Sequence, residues 1–200
     1  AERMRRMFGM LKTLLHETNE NEFNKLFSRI EKYENISDSM ELEIANYLNK
    51  VSEGRLSSES KLEIRGMLRE VTEIESIGDS CYNLARTINR KRSGGNDFTE
   101  KQYEHIHQMM QLTDDALAQM IAIVEDDYHV VDVNKTFNLE NEINNYRAQL
   151  KNQNVVDVNN KEYDYQMGVH YMDLIGECEK LGDYVVNVVE ARTNVKEKKA

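Results

Sequence analysis

Apolar residues recur along this chain at the spacing of a helix surface. Met4, Met7, Phe8, Leu11, Leu14 and Leu15 make a first i, i+3, i+4, i+7 series, which ends in the polar stretch Thr18 to Asn21. A second series starts at about Glu22 and carries Phe23, Leu26, Phe27, Ile30, Tyr33, Ile36, Met40, Ile44, Tyr47, Leu48 and Val51, stopping at Glu53-Gly54. Ser57 or Ser58 can cap a third, in which Leu62, Ile64, Met67, Leu68, Val71, Ile74, Ile77, Cys81, Leu84 and Ile88 share a face. Ser93-Gly94-Gly95-Asn96-Asp97 is the most loop-like stretch of the chain. Beyond it, Thr99 and Gln102 form a capping box for a fourth helix reaching about Glu125. A fifth helix is expected over about Val133 to Asn152 and a sixth from about Asn160 to Lys196. The β-branched segments Tyr128–Val133 and Val155–Val158 are too short and isolated for a sheet and read as connections.

The third and sixth helices can be superimposed in sequence with a shift of 104 residues. Glu73, Glu75, Gly78, Asp79 and Asn83 then fall on Glu177, Glu179, Gly182, Asp183 and Asn187, with Ile77 over Leu181. The second and fifth align more weakly: Glu34 and Asp38 fall on Glu140 and Asn144 with a shift of 106. The pattern predicts an all-α chain of two tandem three-helix bundles related by internal duplication, over residues 1–93 and 97–196.

Composition strengthens the helical reading. The chain of 200 residues contains no proline, the residue that breaks helix interiors. Its formal charge of −10 excludes a general nucleic-acid binder, which needs clustered cations for phosphate contacts. Positive charge gathers at Arg3, Arg5 and Arg6, at Arg90-Lys91-Arg92, and at Lys196, Lys198 and Lys199, as solvated tips or as a contact with an anionic membrane surface. Cys81 and Cys178 lie within apolar helical patterns, and buried reduced thiols are expected of them. No apolar run approaches the roughly 20 residues of a membrane span. The opening Ala1-Glu2 suits a piece of a longer polypeptide as well as a trimmed chain.

Candidate chemistry lies in the repeated carboxylates. Residues i and i+4 of a helix share a face, so Glu75 with Asp79, and Glu179 with Asp183, stand side by side and repel. Glycine in the same place of both copies costs about 1 kcal/mol relative to alanine, which suggests a close approach there by a neighbouring helix or a ligand. If helices two and three pack antiparallel, Glu34 and Asp38 face Glu75 and Asp79. Four converging carboxylates then need a cation, and an all-oxygen donor set favours hard ions such as iron, manganese, magnesium or calcium. Asn83 and Asn187, one turn on, are candidates to add amide oxygens or to orient the carboxylates. His16, His105, His107, His129 and His170 do not fit a di-iron pattern and read as surface or partly buried side chains. No phosphate loop, nucleophile elbow or HExxH segment is present, so catalysis has no support in the sequence.

These residues resemble a known family. Glu73-Ile-Glu-Ser-Ile-Gly-Asp-Ser-Cys-Tyr-Asn-Leu-Ala85 and Glu177-Cys-Glu-Lys-Leu-Gly-Asp-Tyr-Val-Val-Asn187, with E/DxxxD motifs in the second and third helices of each repeat, are similar to the signature of the PhoU family of phosphate-regulatory proteins. The opening Ala1-Glu-Arg-Met-Arg-Arg-Met-Phe-Gly-Met10 and the ESIGD wording look like the cytoplasmic PhoU-like region of bacterial sodium/phosphate cotransporters.

The resemblance implies two three-helix bundles, often dimeric, without catalytic activity. It also implies iron, zinc or magnesium at acidic motifs, with Glu34, Asp38, Glu75 and Asp79 as ligands in the first unit and Glu140, Glu179 and Asp183 in the second. Two departures from the family pattern are Asn144 in place of an acid, and Ser80 and Tyr184 where many members carry histidine. The first site is therefore expected to bind metal better than the second. The leading expectation is a non-enzymatic regulatory domain on the cytoplasmic side of the inner membrane, joined to a sodium/phosphate cotransporter, with Arg3 to Arg6 at the membrane junction. The alternatives are a freestanding regulator of a phosphate ABC transporter and its sensor kinase, and a carboxylate-bridged metal-binding bundle.

Overall fold

A computed structural model describes residues 1–125 and 132–197. It contains six helices: α1 (Glu2–Leu14), α2 (Glu20–Ser52), α3 (Ser58–Ser93), α4 (Glu100–Glu125), α5 (Asn134–Asn159) and α6 (Tyr165–Glu197). Among the described residues there is no strand. The predicted starts are set by local hydrogen bonds. Ser57 Oγ accepts from the amide of Ser60, and Thr99 and Gln102 close the capping box in both directions at 3.0 and 3.2 Å. These bonds satisfy amide groups that the first helical turn leaves without partners.

Two boundaries differ from expectation. Val155–Val158 is not a connection but the last turn of α5. Val155 and Val156 are exposed there, while Asn154 and Val158 pack against Gly168 of α6, so tertiary contact overrides their β preference. The helix ends at Asn159, and the chain turns away at Lys161, which has φ 60°, a conformation usually given to glycine or asparagine. The sixth helix starts at Tyr165 rather than Asn160, because Asp164 Oδ1 accepts from the amide of Met167 at 2.7 Å and caps it. Of the expected connection Tyr128–Val133, only Asp132 and Val133 are described, leading directly into α5; the rest, with His129, lies outside the described residues.

The two halves meet through matching helices. Helices α3 and α6 lie antiparallel at the centre and make the most extensive contact, and α1 packs against α4. Helix α2 flanks α3, and α5 flanks α6, so the second and fifth helices are the outermost members of the two units. One core runs through both halves. It joins Met7, Phe8 and Leu11 of α1 to Ile77 and Leu84 of α3, Met109 and Leu117 of α4, and Leu181 and Val185 of α6. Burying large apolar side chains of this kind contributes about 1.5–3 kcal/mol each. Cys81 and Cys178 are buried free thiols on the facing surfaces of α3 and α6, as the apolar pattern predicts.

The basic residues are engaged within the fold. Arg5 and Lys12 both reach Asp114 at 3.1 Å, tying α1 to α4, and the Arg3 guanidinium stands over the Tyr33 ring. Arg90 approaches Asp173 at 3.6 Å, Lys91 is buried between Asp97 and Tyr103, and Arg92 donates to the carbonyls of Glu17 and Thr18. Of the basic run 90–92, Lys91 is therefore buried, Arg92 half-buried and Arg90 exposed. Lys198 and Lys199 lie outside the described residues. Among the described residues no helix is long and apolar enough to cross a membrane.

Candidate metal centre

Two glycines set the spacing of the carboxylate motifs. A Cβ placed on Gly78 of α3 would meet Ser37 of α2, with Oγ at 3.5 Å, and Met4 Sδ of α1 at 3.2 Å. A Cβ on Gly182 of α6 would meet Ile143 of α5, with Cδ1 at 3.3 Å. Ser37 lies between Glu34 and Asp38, and Ile143 lies between Glu140 and Asn144. In each half, then, the glycine of one motif receives the side chain held inside the other. The expected reason for the repeated glycine is this close helix approach.

That contact aligns the first motif pair. Helices α2 and α3 run antiparallel, with Tyr82 donating to Glu31 at 3.0 Å on one side and Thr72 donating to Glu41 at 3.1 Å on the other. Between those rungs Glu34 lies toward Asp79, and Asp38 toward Glu75. The two glutamates are half-buried and the two aspartates are exposed. Burial and the surrounding negative charge raise both glutamates. Glu75 is pushed up to about 7, first by burial and then by Asp79, Asp38, Glu41 and Glu34. Glu34 is raised by burial, Asp79, Asp38 and Glu31. Glu41 is a member of this cluster that lies outside the ExxxD motif. Its position one turn beyond Asp38 is the signal that would have found it.

The second pair is built differently. Glu140 and Glu179 are half-buried and Asp183 is exposed, as in the first half. Asn144, however, donates its amide to Glu140. Arg147 brings its guanidinium Nε to 3.6 Å from Glu179 Oε2. Burial raises Glu179 and Asp183, and Arg147 opposes it at both. Arg147 too is absent from the family motif and was missed for that reason.

The expectation for the two asparagines is corrected. Asn187 does not face the carboxylate motif of its own half; it donates to Glu73 across the α3–α6 interface at 3.0 Å. Its repeat partner Asn83 lines a cavity with Glu177 between the same two helices. Neither is placed to orient the candidate ligands. Ser80 is buried and Tyr184 half-buried, so these positions supply no donor comparable to histidine. Of the histidines, His170 is buried, and His16 and His107 face each other at 2.5 Å between α1 and α4, far in sequence from the motifs.

As the side chains stand, no group of three or more Asp, Glu, His or Cys residues among those described is arranged to hold a metal ion. The first cluster nevertheless has the donor chemistry of a hard-cation site: oxygen ligands on facing helices, whose mutual repulsion a cation would relieve. The second has an arginine in that role.

The sequence pattern of the PhoU domain matches residues 1–88 and 106–191. The chain belongs to the PhoU family. No curated protein matches its sequence. Solved structures that share the fold include two of PhoU proteins. One is the phosphate transport system regulatory protein PhoU from Streptococcus pneumoniae, with TM-score 0.72 and 15% identity over 98% of this chain and 94% of that one. The other is PhoU from Pseudomonas aeruginosa, with TM-score 0.67 and 13% identity over 98% of this chain and 95% of that one. The two matched segments follow the duplication read from the carboxylate motifs, and this PhoU chain carries both repeats.

Proposed function

We propose that this PhoU-family chain is a non-enzymatic regulator of phosphate transport, acting on a phosphate ABC transporter and its sensor kinase. The observation that carries this reading is the likeness along nearly the whole chain to PhoU proteins, one of them described as a phosphate transport system regulator. The arginines bear on the competing reading, a cytoplasmic domain of a sodium/phosphate cotransporter. Arg3, Arg5 and Arg6, which fit a membrane junction in that reading, here contact Tyr33, Asp114 and Glu2, with Arg5 and Arg6 still 48% and 72% exposed. Within the regulator, Glu34, Asp38, Glu75 and Asp79 would hold a hard cation such as iron or magnesium, linking the outer helix α2 to the central α3. Removing the gene and following phosphate uptake at high and low external phosphate tests the reading. Uptake is expected to lose its repression at high phosphate and to regain it with a plasmid copy. Unchanged uptake in the deletion strain overturns it.

A further inference from the structure

The two carboxylate clusters differ most at one pair of equivalent positions. The shift that lays Glu140 over Glu34 and Asn144 over Asp38 lays Arg147 over Glu41. In the first half this position adds negative charge: Glu41 accepts from Thr72 at 3.1 Å, one turn before Glu75 on α3, so a fifth carboxylate joins the four of the motifs. Arg3 lines the adjoining groove but stands over Tyr33. In the second half the same position delivers a guanidinium to Glu179, with side chains only 36% and 24% exposed. Asn144 removes one acid and ties Glu140, leaving its own Oδ1 buried without a hydrogen-bond partner. The contrast is five carboxylates in one half against three carboxylates, an amide and an arginine in the other.

We infer that Arg147 is the resident cation of the second cluster, taking the place that a metal ion would take in the first, so that only the α2–α3 cluster responds to divalent cations. Arginine suits this role because it stays charged at any working pH and its planar fork can face two carboxylates at once. A tethered guanidinium also cannot be removed by a chelator or diluted away. The α5–α6 pair is thereby closed permanently, and the α2–α3 pair is the half whose state can change. This rests on reading the first cluster as a cation site, and the test separates the two claims.

The experiment uses the full chain with manganese as the hard-cation probe, reading bound metal by equilibrium dialysis and stability by thermal unfolding. Wild type and Glu179→Gln/Asp183→Asn are expected to bind the same amount of manganese. Asn144→Asp/Arg147→Glu rebuilds the composition of the first cluster in the second half. It is expected to melt at least several degrees below wild type without metal, and to gain additional bound manganese with a rise in Tm. Loss of manganese from Glu179→Gln/Asp183→Asn overturns the inference, as does a rebuilt variant that gains none. If wild type binds no manganese while the rebuilt variant gains it, the cation reading of the first cluster fails and the role of Arg147 stands. Should the rebuilt variant not fold, Arg147→Met decides: it must lower Tm at neutral pH, with Arg147→Lys restoring most of the loss. A Met variant as stable as wild type overturns the inference.

Discussion

Glu75 carries the largest perturbation of any acid in the first cluster, and its environment fixes how stability should vary with pH. Its folded pKa of about 7 lies above the ordinary glutamate value, so the folded chain holds its proton more tightly than the unfolded chain does. The stabilising contribution is complete below the ordinary value and is lost as pH rises from about 4.5 to about 7. Glu75→Gln removes this penalty. It is expected to raise Tm at pH 8 without metal and to change it little at pH 5, by differential scanning calorimetry at both values. Lower stability at pH 8 than wild type would show that the carboxylate is stabilised where it stands. The sequence identified Glu75 and its three motif partners because two carboxylates four residues apart must share a helix face. Glu41, one turn beyond Asp38, was within its reach; Arg147 was not, since its importance depends on which turn of one helix lies against which turn of another.

At the scale of elements, the glycine contacts decide how near the acids of α2 and α3 come. Valine at position 78 would place two methyl groups against Ser37 and Met4, where a single Cβ already stands 3.2 Å from sulfur. Overpacking of this kind costs about 1–3 kcal/mol. Gly78→Val should therefore lower the urea midpoint and, by spreading the helices, bring the Glu75 titration back toward the ordinary glutamate range. Gly182→Ala is milder, because the gain of about 1 kcal/mol in helix propensity offsets a contact with the flexible end of Ile143. Helix existence was legible throughout from the apolar spacing, and Ser57 and Thr99 marked two starts correctly. The end of α5 was not legible: no glycine follows it, and its stop is a lysine with positive φ. Asp164 does not stand out as a cap in the sequence, because the apolar pattern places the start of the sixth helix at about Asn160.

For the whole molecule, duplication was readable from five aligned residues, but the joining of the halves was not. The pattern suggests two three-helix bundles in tandem. In the structure the apolar face of α3 carrying Ile77, Cys81, Leu84 and Ile88 is covered in large part by α6, and α1 leans on α4. Residues 1–93 expressed alone would leave that face open to water. Such a fragment is expected to be helical by circular dichroism but to associate or to melt without a sharp transition. A cooperative, monomeric fragment would show that each repeat is self-sufficient. The central seam forms only when both repeats are present, and periodicity within one helix cannot report which partner covers it.

The two thiols at that seam give it a clock. Burial raises both, Cys178 to about 12, so neither is a reactive thiolate while α3 and α6 are together. A small aromatic disulfide reagent can then reach them only during moments of separation, and the rate of colour release measures how often the halves part. Labelling is expected to be far slower than for an unfolded chain, and to quicken with urea below the main transition if the seam opens before the helices melt. Immediate labelling in native buffer would mean that the seam is already open.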